Sequence, residues 1–475
     1  METDRLATLK KIASIVAGVL VIAGIVAIFA LPRPQQRHYP KRIQVRFWHM
    51  WTAEWARKVS DICDEFNKSQ DKYEVIPLSV PSGAADSKFL LAVAGGDPPD
   101  VMAQWNPVIP YWADSKLLQP LDQMMTPKQW KEFQDTAYPA AKKIGIYKGR
   151  LYGVTTGTNV WAVFYLPKHV RAAGLDPNKF PGTLEGLMEW GKKLNKFDKN
   201  GNLVRIGFLP SWLMEFAPIF GGRFYDPKTG ELTLYTRENL RALEFLVDER
   251  NKIGYAKVVR FESGLRNASS GQGDWPFMGG FYSMTIDGVW RVEELRKYNA
   301  GVRRDNAELR RNHGDPRNLK SEVEYGTAPV PPPTGGTKNA GYADGNFLII
   351  PRGAKHVEGA WEFIKFWSGI ENPRRAAEFY TWGGWLPLNT AVANAPAYKE
   401  YIRKNPQFKT FLDLVSSKDL LTCPPVPYQA FLIDQINRAD DFATRGSLTP
   451  RQALETLEKD IVNERARRKE LGYND

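Results

Sequence analysis

Apolar and polar positions begin to alternate regularly at residue 43. Residues 43–48 (IQVRFW) read as a strand, and residues 53–67 then place Trp55, Val59, Ile62, Cys63 and Phe66 on one face at helical spacing, with Thr52 set to cap them. Residues 73–80 predict a second strand, 86–94 a second helix and 100–104 a third strand. The stretch LAVAGGDPPDVMAQW at 91–105 joins the last two: Gly95 and Gly96 permit a helix C-cap, and Pro98 and Pro99 stop the helix. Val101, Met102 and Ala103 form the short apolar run of a buried parallel strand. The order is therefore βαβαβ. Right-handed crossovers bring the loop with Trp51 and the loop with Trp105 and Asn106 to one sheet edge, where open α/β sheets bind ligands. The competing reading makes Trp105 a lid over a hydrophobic edge.

Further on, the polar segment GVTTGTN at 153–159 separates two strand-like runs, the second at 160–165, and reads as a first crossing between lobes that carries Asn159. Residues 206–208 form a short buried strand, and Trp212, Glu215 and Phe216 lie in a loop-to-helix segment. Residues 283–286 predict a strand ending at Asp287 and Gly288, with Trp290 one turn into the next helix and facing a crevice. The charged stretch 299–320 reads as a solvated excursion, and Pro331, Pro332 and Pro333 stiffen a second crossing. GYADGN at 341–346, with Asp344 and Asn346, suits either hydroxyl recognition or a simple turn. Residues 357–368 form an apolar helix, Trp382 and Trp385 lie in an aromatic-glycine loop, and 449–470 is a charged helix.

A chain of 475 residues exceeds what one core usually supports, so two lobes are expected. Residues 12–31 are an uncharged apolar run long enough to span a bilayer, and their length favours retention as an anchor over cleavage after Ala30. The charged flanks on both sides leave orientation open, and the extracytoplasmic reading of the remaining chain decides it. Of the net charge of +12, the first 42 residues hold seven basic and two acidic groups. The rest is spread thinly, which argues against nucleic acid. Cys63 and Cys423 are the only cysteines, which excludes a disulfide framework and leaves their pairing open. The five histidines are scattered and make no metal cluster, and His49 beside the crevice is a hydrogen-bond donor or a spectator.

Several pieces occur in one order: AGGDPPDV, LLQPLD at 117–122, GRLYGV at 149–154, GTLEGLMEWGKKL at 182–194, FGGRFYD at 220–226, SMTIDGVW at 283–290 and AWEFIKFW at 360–367. This succession resembles the extracellular solute-binding proteins of ABC importers, in the sugar-binding branch that includes maltodextrin-binding protein. The resemblance implies an α/β, two-lobed, type II periplasmic-binding-protein fold, each lobe a doubly wound sheet flanked by helices, preceded by an N-terminal transmembrane helix. Residues 1–42 would be an anchor or signal segment and linker, 43–157 with 330–370 the first lobe, and 158–329 with 371–475 the second. It further implies a monomer outside the cytoplasm that passes a carbohydrate to permease subunits, without cofactor, metal or catalytic residue.

The ligand residues expected on these grounds are Trp51, Trp105, Asn106, Asn159, Trp212, Glu215, Asp287, Trp290, Asn346, Trp382 and Trp385. Indole covers the C–H face of a pyranose, and amide and carboxylate groups pair with its hydroxyls. One alternative is a glycosidase or lyase, which needs carboxylates paired across the bond; Asp86, Glu215 and Asp287 show no such spacing. Another is the same fold holding a polyamine, peptide or anion.

Overall fold

The computed structural model describes residues 38–105, 107–268, 275–313 and 315–473. The apolar run 12–31, Asn106 and the glycine-rich loop at 269–274 lie outside the described residues. Among those described, no helix is long and apolar enough to cross a membrane. Ile43–Asp475 forms one compact unit.

The chain enters through β1 (Ile43–His49), which buries Val45, Phe47 and His49 because side chains alternate across a strand. Next, α1 (Ala53–Ser69) turns Val59, Ile62, Cys63 and Phe66 inward, as its spacing predicts. Then come β2 (Tyr73–Ser79), α2 (Ser82–Ala94) and β3 (Val101–Gln104), with β1 parallel to both other strands. All four residues of β3 are buried, as befits a central strand. The acids before it are structural. Asp100 accepts from the Arg46 and His356 main-chain N–H groups, both at 2.8 Å, and Asp97 holds the Arg46 guanidinium at 3.0 Å and the Lys355 ammonium at 2.8 Å.

β4 (Val154–Tyr165) is one strand where a polar crossing and a separate strand were expected. Its threonines are polar yet buried, and Thr155 and Thr156 donate to the Ala141 and Asn346 carbonyls, so the sequence pattern conceals the strand. Twelve residues at about 3.3 Å each reach about 40 Å, enough to traverse both halves. After it come α3 (Leu213–Ile219), β5 (Met284–Gly288) and α4 (Trp290–Arg311). The expected excursion at 299–320 is helical as far as Arg311, because its charges populate an exposed helix face and pair outward, as Lys320 does with Asp305 at 3.0 Å.

β6 (Gly326–Ala328) precedes β7 (Gly341–Ile349), so GYADGN is strand rather than turn. The chain closes with α5 (Val357–Ser368), α6 (Pro373–Gly383), β8 (Leu420–Leu421), α7 (Gln429–Thr444) and α8 (Pro450–Glu470). The supposed aromatic-glycine loop is largely α6, opened by an Asn372 cap onto the Arg375 N–H and closed at Gly384. Its helical spacing was masked by the glycines beyond it.

The sheet runs β6-β4-β7-β3-β1-β2, with β5 on β4 and β8 on β7. β7 is antiparallel to β3 and β4, and β4 is antiparallel to β5 and β6. Two separate doubly wound sheets were expected; one mixed sheet joins the halves instead, with β4 and β7 shared. A Cβ at Gly345 of β7 would sit 2.7 Å from the Gly157 carbonyl oxygen, so only glycine lets the two strands approach there.

Two large cores flank the shared strands. One gathers β1, α1 and α5 with Phe164 and Val292; the other gathers α3, Leu243, Leu246, Val163 and Met284. Within segment 371–475, residues 376–420 contribute to the first core and 428–461 to the second. Cys63 and Cys423 are both buried free thiols.

Candidate functional site

Strands β4 and β7 bring polar and aromatic side chains into register. Asn159 lies opposite Asp344 and Gly157 opposite Asn346. Two residues on, Trp161 and Tyr342 meet with ring centroids 5.6 Å apart. Since alternate residues share a face, one side of this strand pair presents Asn346, then Asn159 with Asp344, then Trp161 with Tyr342. Asn159 donates to the Asp344 carboxylate at 2.7 Å. Burial pushes the Asp344 pKa up to about 7, against the opposing pull of that hydrogen bond.

Two further indoles complete the aromatic wall. Trp290 begins α4 and packs edge-on against Trp161 at 5.7 Å. A side chain at Gly288, which pairs with Trp161 across β4 and β5, would strike the Trp290 ring, so glycine at this point lets the indole lie against the strand. Trp212 packs on Trp161 at 4.9 Å and on Tyr342 at 5.1 Å. Its backbone has φ 78° and ψ 97°, a region that costs a bulky L-residue about 1–3 kcal/mol and that persists only where surroundings impose it.

From the opposite half, Trp105 stands 41% exposed beyond the end of β3. It shares one cavity with Tyr342, Asp344, Cys423 and Gln429. Through Lys143, Thr422 and Cys423 this hollow adjoins a larger cavity of about 470 Å³ that also touches Phe224 and Tyr225. Lys142 and Lys143 line it, each ammonium donating to main-chain carbonyls, and burial lowers the Lys143 pKa.

Most of the other expected residues sit elsewhere. Asp287 lies opposite Ala162, on the reverse face from Trp161, and is tied to Arg291 at 2.9 Å, whose guanidinium stacks 4.7 Å from the Trp275 ring. Trp51 and Trp385, expected in loops open to ligand, are 9% and 7% exposed and pack on each other and on Trp367 at 5.5–5.8 Å. Trp382 rests on Phe379 at 5.1 Å within α6. His49 is buried and held neutral by that burial, its pKa lowered to about 4, as a packing member of the Trp51 cluster. Asn346 is nearly buried beside Gly157.

Glu215 is 1% exposed and accepts the Tyr342 N–H at 2.8 Å. Burial pushes its pKa well up. It therefore clasps α3 to β7 rather than facing a ligand. Glu215→Ala should lower unfolding free energy by about 2–4 kcal/mol, from the stranded N–H and the space left behind. Glu215→Gln, which keeps an acceptor, should recover most of this loss in urea denaturation. Equal losses for both would contradict the clasp.

Sequence reasoning passed over Trp161 and Tyr342, and weighed Asp344 for hydroxyl recognition without counting it among the ligand residues. The available signal was period-two pairing: N-x-W at 159–161 and Y-x-D-x-N at 342–346 put polar and aromatic groups on one strand face. That face carries one carboxylate, Asp344, with no second acid across from it. Among the described residues, no group of three or more His, Cys, Asp or Glu could hold a metal.

Comparison with known proteins bears on the fold. The model of the bacterial extracellular solute-binding protein family matches residues 61–410. The sn-glycerol-3-phosphate-binding periplasmic protein UgpB of Salmonella paratyphi A is 22% identical over 436 residues, covering 87% of this chain and 90% of that protein. A maltotriose-binding protein of Pyrococcus abyssi is 22% identical over 358 residues, covering 75% and 69%. The solved structure of CpMnBP1 with mannotriose bound has a TM-score of 0.71 at 25% identity, covering 88% of this chain and 99% of that one. The architecture is thus the mixed α/β, two-lobed fold of solute-binding proteins, and these relatives are binding proteins rather than enzymes.

Proposed function

The chain belongs to the bacterial extracellular solute-binding protein family, and from that premise we propose that it captures an oligosaccharide between its lobes and delivers it to an ABC permease. The observation that carries this reading is the wall of Trp161, Trp212, Trp290 and Tyr342, continuous on one strand face with Asn159 and Asp344. Rings of this kind cover the apolar faces of successive sugars, and the amide and carboxyl groups pair with their hydroxyls. Trp105 approaches from the first half, and Asn346 would add a polar contact. A ligand touching both halves favours the closed form by its extra contacts there, and that difference is what a permease can read. The protein would act as a monomer outside the cytoplasm, tethered by residues 12–31.

A second reading, a phosphate ester, has specific support in Lys142 and Lys143 on the 470 Å³ cavity and in the name of the glycerol phosphate-binding relative. Both amines already serve carbonyls, which favours the neutral sugar. Calorimetry with mannotriose, maltotriose and sn-glycerol-3-phosphate separates the two. Saturable binding of a neutral sugar, recovered intact after long incubation, supports the proposal. Binding of the phosphate ester alone supports the second reading, and hydrolysis of the sugar would mean an enzyme.

A further inference from the structure

Trp212 holds a left-handed backbone conformation that a tryptophan does not adopt without help, and the help comes from α7. Asp440 accepts the N–H of Leu213, the residue directly after the strained one, at 2.9 Å. One helical turn earlier on the same face, Asn437 accepts the Trp212 indole N–H at 3.3 Å. The backbone beside the ring and the ring's only polar atom are thus both held by one helix face. On the other side, Glu215 fastens the same short helix to Tyr342, the ring on which Trp212 rests.

We propose that Asn437 and Asp440 are positioning residues that keep Trp212 in its left-handed conformation and aim its indole at the Trp161–Tyr342 wall. Neither residue lines the hollow shared by Trp105 and Asp344. Without Asp440 the Leu213 N–H loses its acceptor, the residue before it relaxes toward extended backbone, and the ring leaves the wall. The link to ligand affinity rests on the sugar reading above; the link to ring position does not.

The test uses the full chain carrying 5-fluorotryptophan, with the Trp212 fluorine resonance assigned through Trp212→Phe. Asp440→Ala should move that resonance and weaken mannotriose or maltotriose binding about tenfold, in a chain that still folds by circular dichroism and unfolds in one transition. Asp440→Asn, which retains an acceptor oxygen for Leu213, should restore both, and Asn437→Ala should move the resonance by a smaller step. An unmoved resonance in Asp440→Ala overturns the proposal, as does a moved resonance with undiminished affinity in a chain where Trp212→Ala weakens binding. If no sugar binds at all, the resonance still decides the positioning claim and only the sugar reading falls.

Discussion

Asp344→Asn should make the protein more stable at pH 8 than the parent, by at most about 4 kcal/mol, and leave the two equal near pH 4. The sign follows from proton uptake. Burial raises the Asp344 pKa from its ordinary value near 4 to about 7, so between those limits the folded chain binds more protons than the unfolded one. Its contribution to stability is fully present below pH 4, declines as pH rises through 7 and is flat beyond. Each pKa unit corresponds to about 1.4 kcal/mol, which sets the bound. The amide oxygen that this substitution introduces can still accept from Asn159, so the hydrogen bond across β4 and β7 survives. Urea denaturation at pH 4, 6 and 8 checks this; a parent and variant that differ by the same amount at all three values would show that Asp344 is not desolvated.

Gly288→Val should weaken sugar binding by about 10–100-fold, as much as Trp290→Ala does, while the double variant should be no worse than either. The valine side chain occupies the space that the Trp290 ring fills over β5, so it expels the indole from the wall. Removing the ring removes the conflict, and the two changes are then not additive. Losing an aromatic anchor costs about 1–3 kcal/mol of binding, a range that contains the fold-change given. Losses that multiply in the double variant would mean that Gly288 matters for some reason other than the ring above it.

The βαβαβ start was legible because its elements follow simple periods: Val59, Ile62 and Phe66 at helical steps, and Val101 to Ala103 as an apolar run between turn signals. The shared strands were not. Thr155, Thr156 and Thr158 read as loop residues, yet within a sheet a threonine is readily buried when its hydroxyl finds a carbonyl, as it does at Thr155 and Thr156. Residue type pointed to aromatics but could not tell wall from core. Trp290 and Trp212 reach the strand face because Gly288 makes room for one and α7 holds the other. Trp51 and Trp385 have neighbours far apart in sequence, Trp367 among them, and only the tertiary packing places those together. Glu215 looked like a binding carboxylate and serves the backbone of Tyr342 instead, a role with no one-dimensional signature.

Hydrogen exchange with and without a saturating sugar tests the shared cleft most directly. The account predicts slowed exchange together in the peptides around Trp105, Asn159 to Trp161, Leu213 and Tyr342 to Asn346, drawn from both halves and from the strands between them. Protection confined to one half, or lying on surfaces away from β4 and β7, would contradict it.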